Sequence, residues 1–205
     1  MKKVLLTAFG PFGRWKENSS WLALVELTRE MPQFLQLVTR KYPVSLTSIR
    51  ERIETDMHGD YDFAIHLGQT NKAPRLLLES VALNVATDPE KTENHWSPVV
   101  PDGPVAYQTT LPLEDWAAGL RKAEIPADVS FYAGTYMCNA ALYLSHHYAK
   151  EYGIPTQSLF VHLPLATSQL AKCKDDFPSL PTSEAARALK VLLQLIHKWD
   201  GTVEA

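Results

Sequence analysis

The stretch YAGTYMCNAALYLSHHYAK, residues 132–150, passes from a small-residue turn into a helix-forming segment and places Cys138 at the change. Gly134 and Thr135 supply the turn, and Ala140, Ala141, Leu142 and Leu144 carry a helix over 137–151. Just upstream, DVSFYAG (128–134) reads as a strand. A strand, a tight turn and a helix in succession form the repeating unit of an α/β protein. Two readings of Cys138 stand side by side here. It is a nucleophile held at a helix start, or one more small apolar residue in a core, where cysteines are common.

The same alternation runs outward in both directions. Strands are expected at 3–9, 35–44, 61–68, 75–85 and 156–163. Helices are expected from an Asn18 or Ser19 cap through SWLALVELTREM, with Trp21, Leu24, Val25 and Thr28 at helical spacing, and then at 45–57, 113–123 and 183–199. Between them lies a long Pro-rich segment, 87–104, of the kind that forms lids and binding loops. The pattern predicts one domain over 1–205, a three-layer α/β/α fold with a central, mainly parallel (mixed) sheet.

Composition narrows the function. The 205 residues carry a net charge of −3, with Lys and Arg scattered rather than striped, which argues against a nucleic-acid partner. No apolar run reaches the length of a membrane span, and Val4–Phe9 is too short for a signal peptide and ends in Gly-Pro. Two cysteines cannot build a disulfide framework, which points to a reducing cytoplasm. There is no HExxH run and no Cys/His cluster, so no metal or other cofactor is expected. Adjacent His146 and His147 point to different faces of a helix. Glu51, Glu54, Asp56 and Asp60 read as a solvated face, and Cys173 as an incidental cysteine.

Ligands of open α/β sheets bind beyond the carboxyl ends of strands. Those ends offer Phe9 and Phe12, Gly68 and Gln69, Gly134 to Cys138, and His162 close to the end of its strand. A helix N-terminus favours a thiolate, and its free N–H groups can receive an oxyanion. His162 and Glu79 each interrupt an apolar run. Either alone is ambiguous, but a carboxylate that orients an imidazole is what a thiol nucleophile needs from its base.

In order and spacing, VLLTAFGPFG, HLGQ, ESVALNV, YAGTYMCN and FVHLPL resemble the segments of pyroglutamyl peptidase I, from Val4 to about Pro164. The resemblance implies a cysteine peptidase that removes N-terminal pyroglutamate from peptides, with Cys138 as nucleophile, His162 as base and Glu79 orienting the imidazole. It implies that Phe9 and Phe12 flank the lactam, that Gln69 positions it and that Tyr136 and Met137 line its pocket. It also implies a homo-oligomer, a dimer or tetramer. The chain departs from the family in having Arg14 after Gly13, Asn18-Ser19-Ser20 where Asn-Pro-Ser is usual, and no arginine within 76–120. Family members carry an arginine after the position of Asn84 that is associated with the oxyanion, and Lys91 is this chain's candidate for that contact. Two further readings accompany the first: a cysteine amidohydrolase with another N-terminal acyl substrate, and a weakly active homologue that binds N-terminally blocked peptides.

Overall fold

The computed structural model describes residues 1–87 and 96–201. In chain order the elements are β1 (Lys3–Phe9), α1 (Ser19–Thr28), β2 (Gln36–Tyr42), α2 (Leu46–Met57), β3 (Phe63–Thr70) and β4 (Leu76–Glu79). There follow β5 (Val81–Leu83), β6 (Ala86–Thr87), β7 (Trp96–Ser97), β8 (Ala106–Gln108), α3 (Leu113–Lys122), β9 (Ala127–Ser130) and α4 (Met137–Glu151). The chain closes with β10 (Gln157–Ala166), a 3-10 turn (Thr167–Leu170), β11 (Ser179–Leu180) and α5 (Thr182–Lys198).

The main sheet has the order β2-β1-β3-β10-β4-β9, with β11 on the end of β10. β2, β1, β3 and β10 are parallel, whereas β4 pairs antiparallel to β10 and parallel to β9. The sheet is therefore mixed and mainly parallel, as its near-continuous apolar strands predict. Alternation within the strands sends side chains to two cores. Val4, Leu6, Ile65, Leu67, Leu159 and Val161 meet α1, α3 and α5. Leu5, Phe9, Ala64 and Phe160 meet α2 and α4.

Local chemistry sets the helix ends. Asn18 caps α1 by accepting the Ser20 N–H at 3.1 Å, and Ser45 caps α2 by accepting from Ser48 at 3.4 Å. α3 carries Glu114 and Asp115 in its first turn and Arg121 and Lys122 in its last, complementing its dipole.

Several boundaries differ from the sequence reading. The strand expected over 75–85 splits at Ser80, where the backbone N–H goes to Ser130 and the carbonyl accepts from Thr109. Val81–Leu83 then leaves the main sheet to pair with β8. β9 stops at Ser130 because its partner β4 stops at Glu79, so an irregular turn, not strand, occupies 131–136. β10 continues to Ala166, held by β11 at Leu165 and Ala166, which leaves His162 inside the strand rather than close to its end. Asp56 is not on a solvated face: it is 11% exposed and accepts from the Tyr42 hydroxyl at 2.8 Å and from Arg40 at 3.1 Å. Val25 turns outward, because the buried stripe of α1 runs through Ala23, Leu24 and Leu27.

Candidate active site

The period of two along a strand places His162 of β10, Glu79 of β4 and Gly68 of β3 on the side of the sheet that α4 covers. On β10, Leu159, Val161 and Leu163 belong to the α1/α3/α5 core, so Phe160 and His162 take the α4 side. His162 lies opposite Gly68 of β3, and Phe160 lies opposite Glu79 of β4. Glu79 is thus a diagonal neighbour of His162, within reach of a long side chain. The His162 Nδ1 to Glu79 Oε1 distance is 2.6 Å, and Glu79 is completely buried. Glu79 Oε2 has no hydrogen-bond partner among the described residues, so the whole polar commitment of this carboxylate is to the imidazole.

With Nδ1 committed, Nε2 remains for Cys138, whose side chain hydrogen-bonds the ring. Burial pulls the His162 pKa down. The Cys138 charge and hydrogen bond, followed by those of Glu79, outweigh it and push the pKa up to about 10. A ring held by a carboxylate at one nitrogen and facing a thiol at the other is the base that a cysteine nucleophile needs.

Gly68 makes this approach feasible. A Cβ there would lie 2.5 Å from Phe160 Cζ and 3.1 Å from Cys138 Sγ. Phe160 in turn packs its ring 4.8 Å from that of His162. Gly134, at φ 84°, takes the left-handed conformation that turns the chain into α4. Cys138 is the second residue of that helix, in the turn whose N–H groups have no intrahelical acceptor.

A cavity of about 190 Å³ opens beside the sulfur, lined by Phe9, Phe12, Gln69, Tyr136, Met137 and Cys138 among others. Phe9 is buried, with its ring 6.2 Å from Phe160, whereas Phe12 is 42% exposed and lies 5.6 Å from the Tyr136 ring. Gln69 Oε1 accepts from the Ser19 N–H at 2.8 Å and from Gln169 Nε2 at 2.9 Å. Those two donors fix the amide orientation and leave the Gln69 NH₂ to donate. The cavity is thus apolar on its walls, with oriented amide chemistry at one edge. A larger cleft of about 500 Å³ runs between residues 14–17 and 168–175, but it contains none of Cys138, His162 and Glu79.

The structure brings together eight of the nine residues singled out from the sequence, and Lys91 lies outside the described residues. Sequence reasoning passed over Gly68 as a packing requirement, and also Gln169, Asn139 and Thr87. The glycine had a visible signal, since HLGQ ends an apolar strand. The other three are polar residues whose partners lie 48 to 100 positions away.

Comparison with known proteins agrees with this geometry. Residues 2–198 match the sequence pattern of the family described as pyroglutamyl peptidase. A pyrrolidone-carboxylate peptidase from Streptomyces coelicolor is 36% identical over 202 residues, covering 94% of this chain and 91% of the relative. One from Thermococcus onnurineus is 34% identical over 198 residues, covering 94% and 97%. Among solved structures, the pyrrolidone carboxyl peptidase of Fervidobacterium islandicum AW-1 superposes with a TM-score of 0.89 at 32% identity, covering 96% of this chain and 98% of that one. A mutant enzyme from Pyrococcus furiosus gives 0.86 at 30%, covering 94% and 97%. With its sequence matched nearly end to end and its fold shared, this chain belongs to the pyroglutamyl peptidase family.

Proposed function

We propose that this single-domain protein hydrolyses the amide bond after an N-terminal pyroglutamyl residue of peptides, with Cys138, His162 and Glu79 as its catalytic groups. The observation that carries the reading is the line Glu79–His162–Cys138, which ends beside a small apolar cavity. A pyroglutamyl group has no charged amine, so the anionic site of an ordinary aminopeptidase has nothing to hold. A neutral lactam suits the slot between Phe9 and Phe12, with Tyr136 and Met137 closing it and the Gln69 NH₂ donating to the lactam carbonyl.

His162 takes the Cys138 proton as the sulfur adds to the pyroglutamyl acyl carbon, and the carbonyl electrons move to oxygen. That oxyanion is met by N–H groups at the start of α4. As the C–N bond breaks, the His162 imidazolium passes its proton to the departing amine, leaving a thioester and a neutral ring. The ring then takes a proton from water, whose oxygen adds to the thioester. Collapse expels the Cys138 sulfur, which recovers its proton from the ring, and releases pyroglutamate. Throughout, Glu79 holds the ring orientation and supports its charged form.

Both cysteines are free, as a thiol enzyme of the reducing cytoplasm requires. No described helix is long and apolar enough to cross a membrane. The adjacent exposed rings of Phe131 and Tyr132 support a homo-oligomer. Release assays with pyroglutamyl, prolyl and acetyl-aminoacyl reporter amides test the proposal. Turnover of the pyroglutamyl compound, lost in Cys138→Ser, is expected. Turnover of an acetyl compound instead would assign another acyl substrate, and turnover of none would leave a binding protein.

A further inference from the structure

Cys138 is straddled by two attachments to one short segment. From the end of β5, residues 83–87 cross the first turn of α4. On one side of the cysteine, the buried Asn139 side chain accepts from the Leu83 N–H and donates to the carbonyls of Leu83 and Val85, each at 2.8 Å. On the other side, the Thr135 carbonyl accepts from the Thr87 N–H at 2.7 Å and from Thr87 Oγ1 at 3.1 Å. The two threonine hydroxyls also pair at 3.0 Å. Thr87 lines neither the lactam cavity nor the His162–Glu79 contact.

The second attachment has a geometric consequence. The Thr135 carbonyl and the Tyr136 N–H belong to one planar trans peptide and point in opposite directions. Holding the carbonyl toward Thr87 therefore fixes the rotation of the peptide plane that leads into Tyr136, Met137 and Cys138. Behind the segment, a cavity of about 80 Å³ between Ala86, Val99, Ala140 and Leu144 leaves room for it to shift. A directional hydrogen bond is what fixes a segment that packing leaves free on one side.

We propose that Thr87 is a positioning residue for acyl transfer, holding the 135–137 turn so that the N–H groups at the start of α4 meet the oxyanion. The proposal rests on the pyroglutamyl peptidase reading above. Its test compares Thr87→Val, which keeps the shape and the backbone bond, with Thr87→Ser, which restores a hydroxyl. The readouts are kcat and KM on a pyroglutamyl reporter amide, inhibition by pyroglutamyl aldehyde, and alkylation of Cys138 by iodoacetamide. Alkylation forms no oxyanion, whereas the aldehyde adduct does. Losing the hydroxyl contacts to Thr135, Thr87→Val should lower kcat about three- to tenfold and weaken aldehyde inhibition by a similar factor. KM and the alkylation rate should stay within about twofold of the parent, and Thr87→Ser should recover most of kcat. A valine variant as active as the parent would overturn the proposal while leaving the function intact. So would parallel losses in kcat and alkylation with a lower Tm, which mark general loosening. A parent inactive on the reporter would remove the function and this role together.

Discussion

Acidification from pH 7 to pH 5 should destabilise the fold through two histidines that take no part in turnover. His66 is completely buried on the α4 side of β3, with Thr7 Oγ1 at 2.8 Å from one ring nitrogen and Ser145 Oγ at 2.6 Å from the other. The rings of Tyr42 and Phe160 flank it. Burial, and then the neighbouring His146, hold its pKa down to about 3. Burial holds His146 down to about 4, and its Nε2 has no hydrogen-bond partner among the described residues. In the unfolded chain each titrates near 6.5. Below that value the unfolded chain binds protons that the folded one refuses, so stability falls as pH falls toward the folded values. Between pH 7 and pH 5 each histidine accounts for about 2 kcal/mol, or about 4 together, a large fraction of a typical domain stability. His162 has the opposite sign. Its raised pKa gives a contribution fully present below about 6.5 and lost as pH rises through about 10, and it returns only about 1 kcal/mol over this interval. Urea unfolding of the parent and of His146→Phe at both pH values isolates one term. The difference between the two pH values should shrink by about 2 kcal/mol in the variant. Equal pH dependence in both proteins would refute a neutral, buried His146.

Replacing Cys138 with Ala removes the largest influences raising the His162 pKa, so by NMR the ring should titrate well below its value in the parent; an unchanged midpoint would contradict that coupling. Glu79→Gln should keep a hydrogen-bonding partner but lose support for the imidazolium, lowering kcat by about tenfold or more with little change in KM. A lower Tm with unchanged activity per folded molecule would make Glu79 structural instead. Gly68→Ala should cost about 1–3 kcal/mol and slow alkylation of Cys138, because the new methyl meets Phe160 and the sulfur; parent-like stability and labelling would contradict the packing described. Iodoacetamide should modify Cys138 before Cys173, read by peptide mapping, and the reverse order would unseat the nucleophile.

The sequence by itself determined the layers and the candidate triad. Apolar runs of strand length alternating with helical periods fix an α/β fold, because each element must bury its apolar face against another. Cys138, His162 and Glu79 stood out because each is a reactive or polar group set in a segment whose pattern calls for something else. Tertiary structure alone decided how those groups meet. Glu79 reaches His162 because β4 runs antiparallel to β10 in a register that makes them diagonal neighbours, and strand direction cannot be read from an apolar run. The split of 75–85 at Ser80 was hidden for the same reason: both halves are apolar, and only their partners, β9 and β8, differ. The hold of Thr87 on Thr135 and of Gln169 on Gln69 was equally invisible. A hydrogen bond between residues far apart in the chain leaves no periodicity behind, and it exists only once the packed layers have brought its ends together.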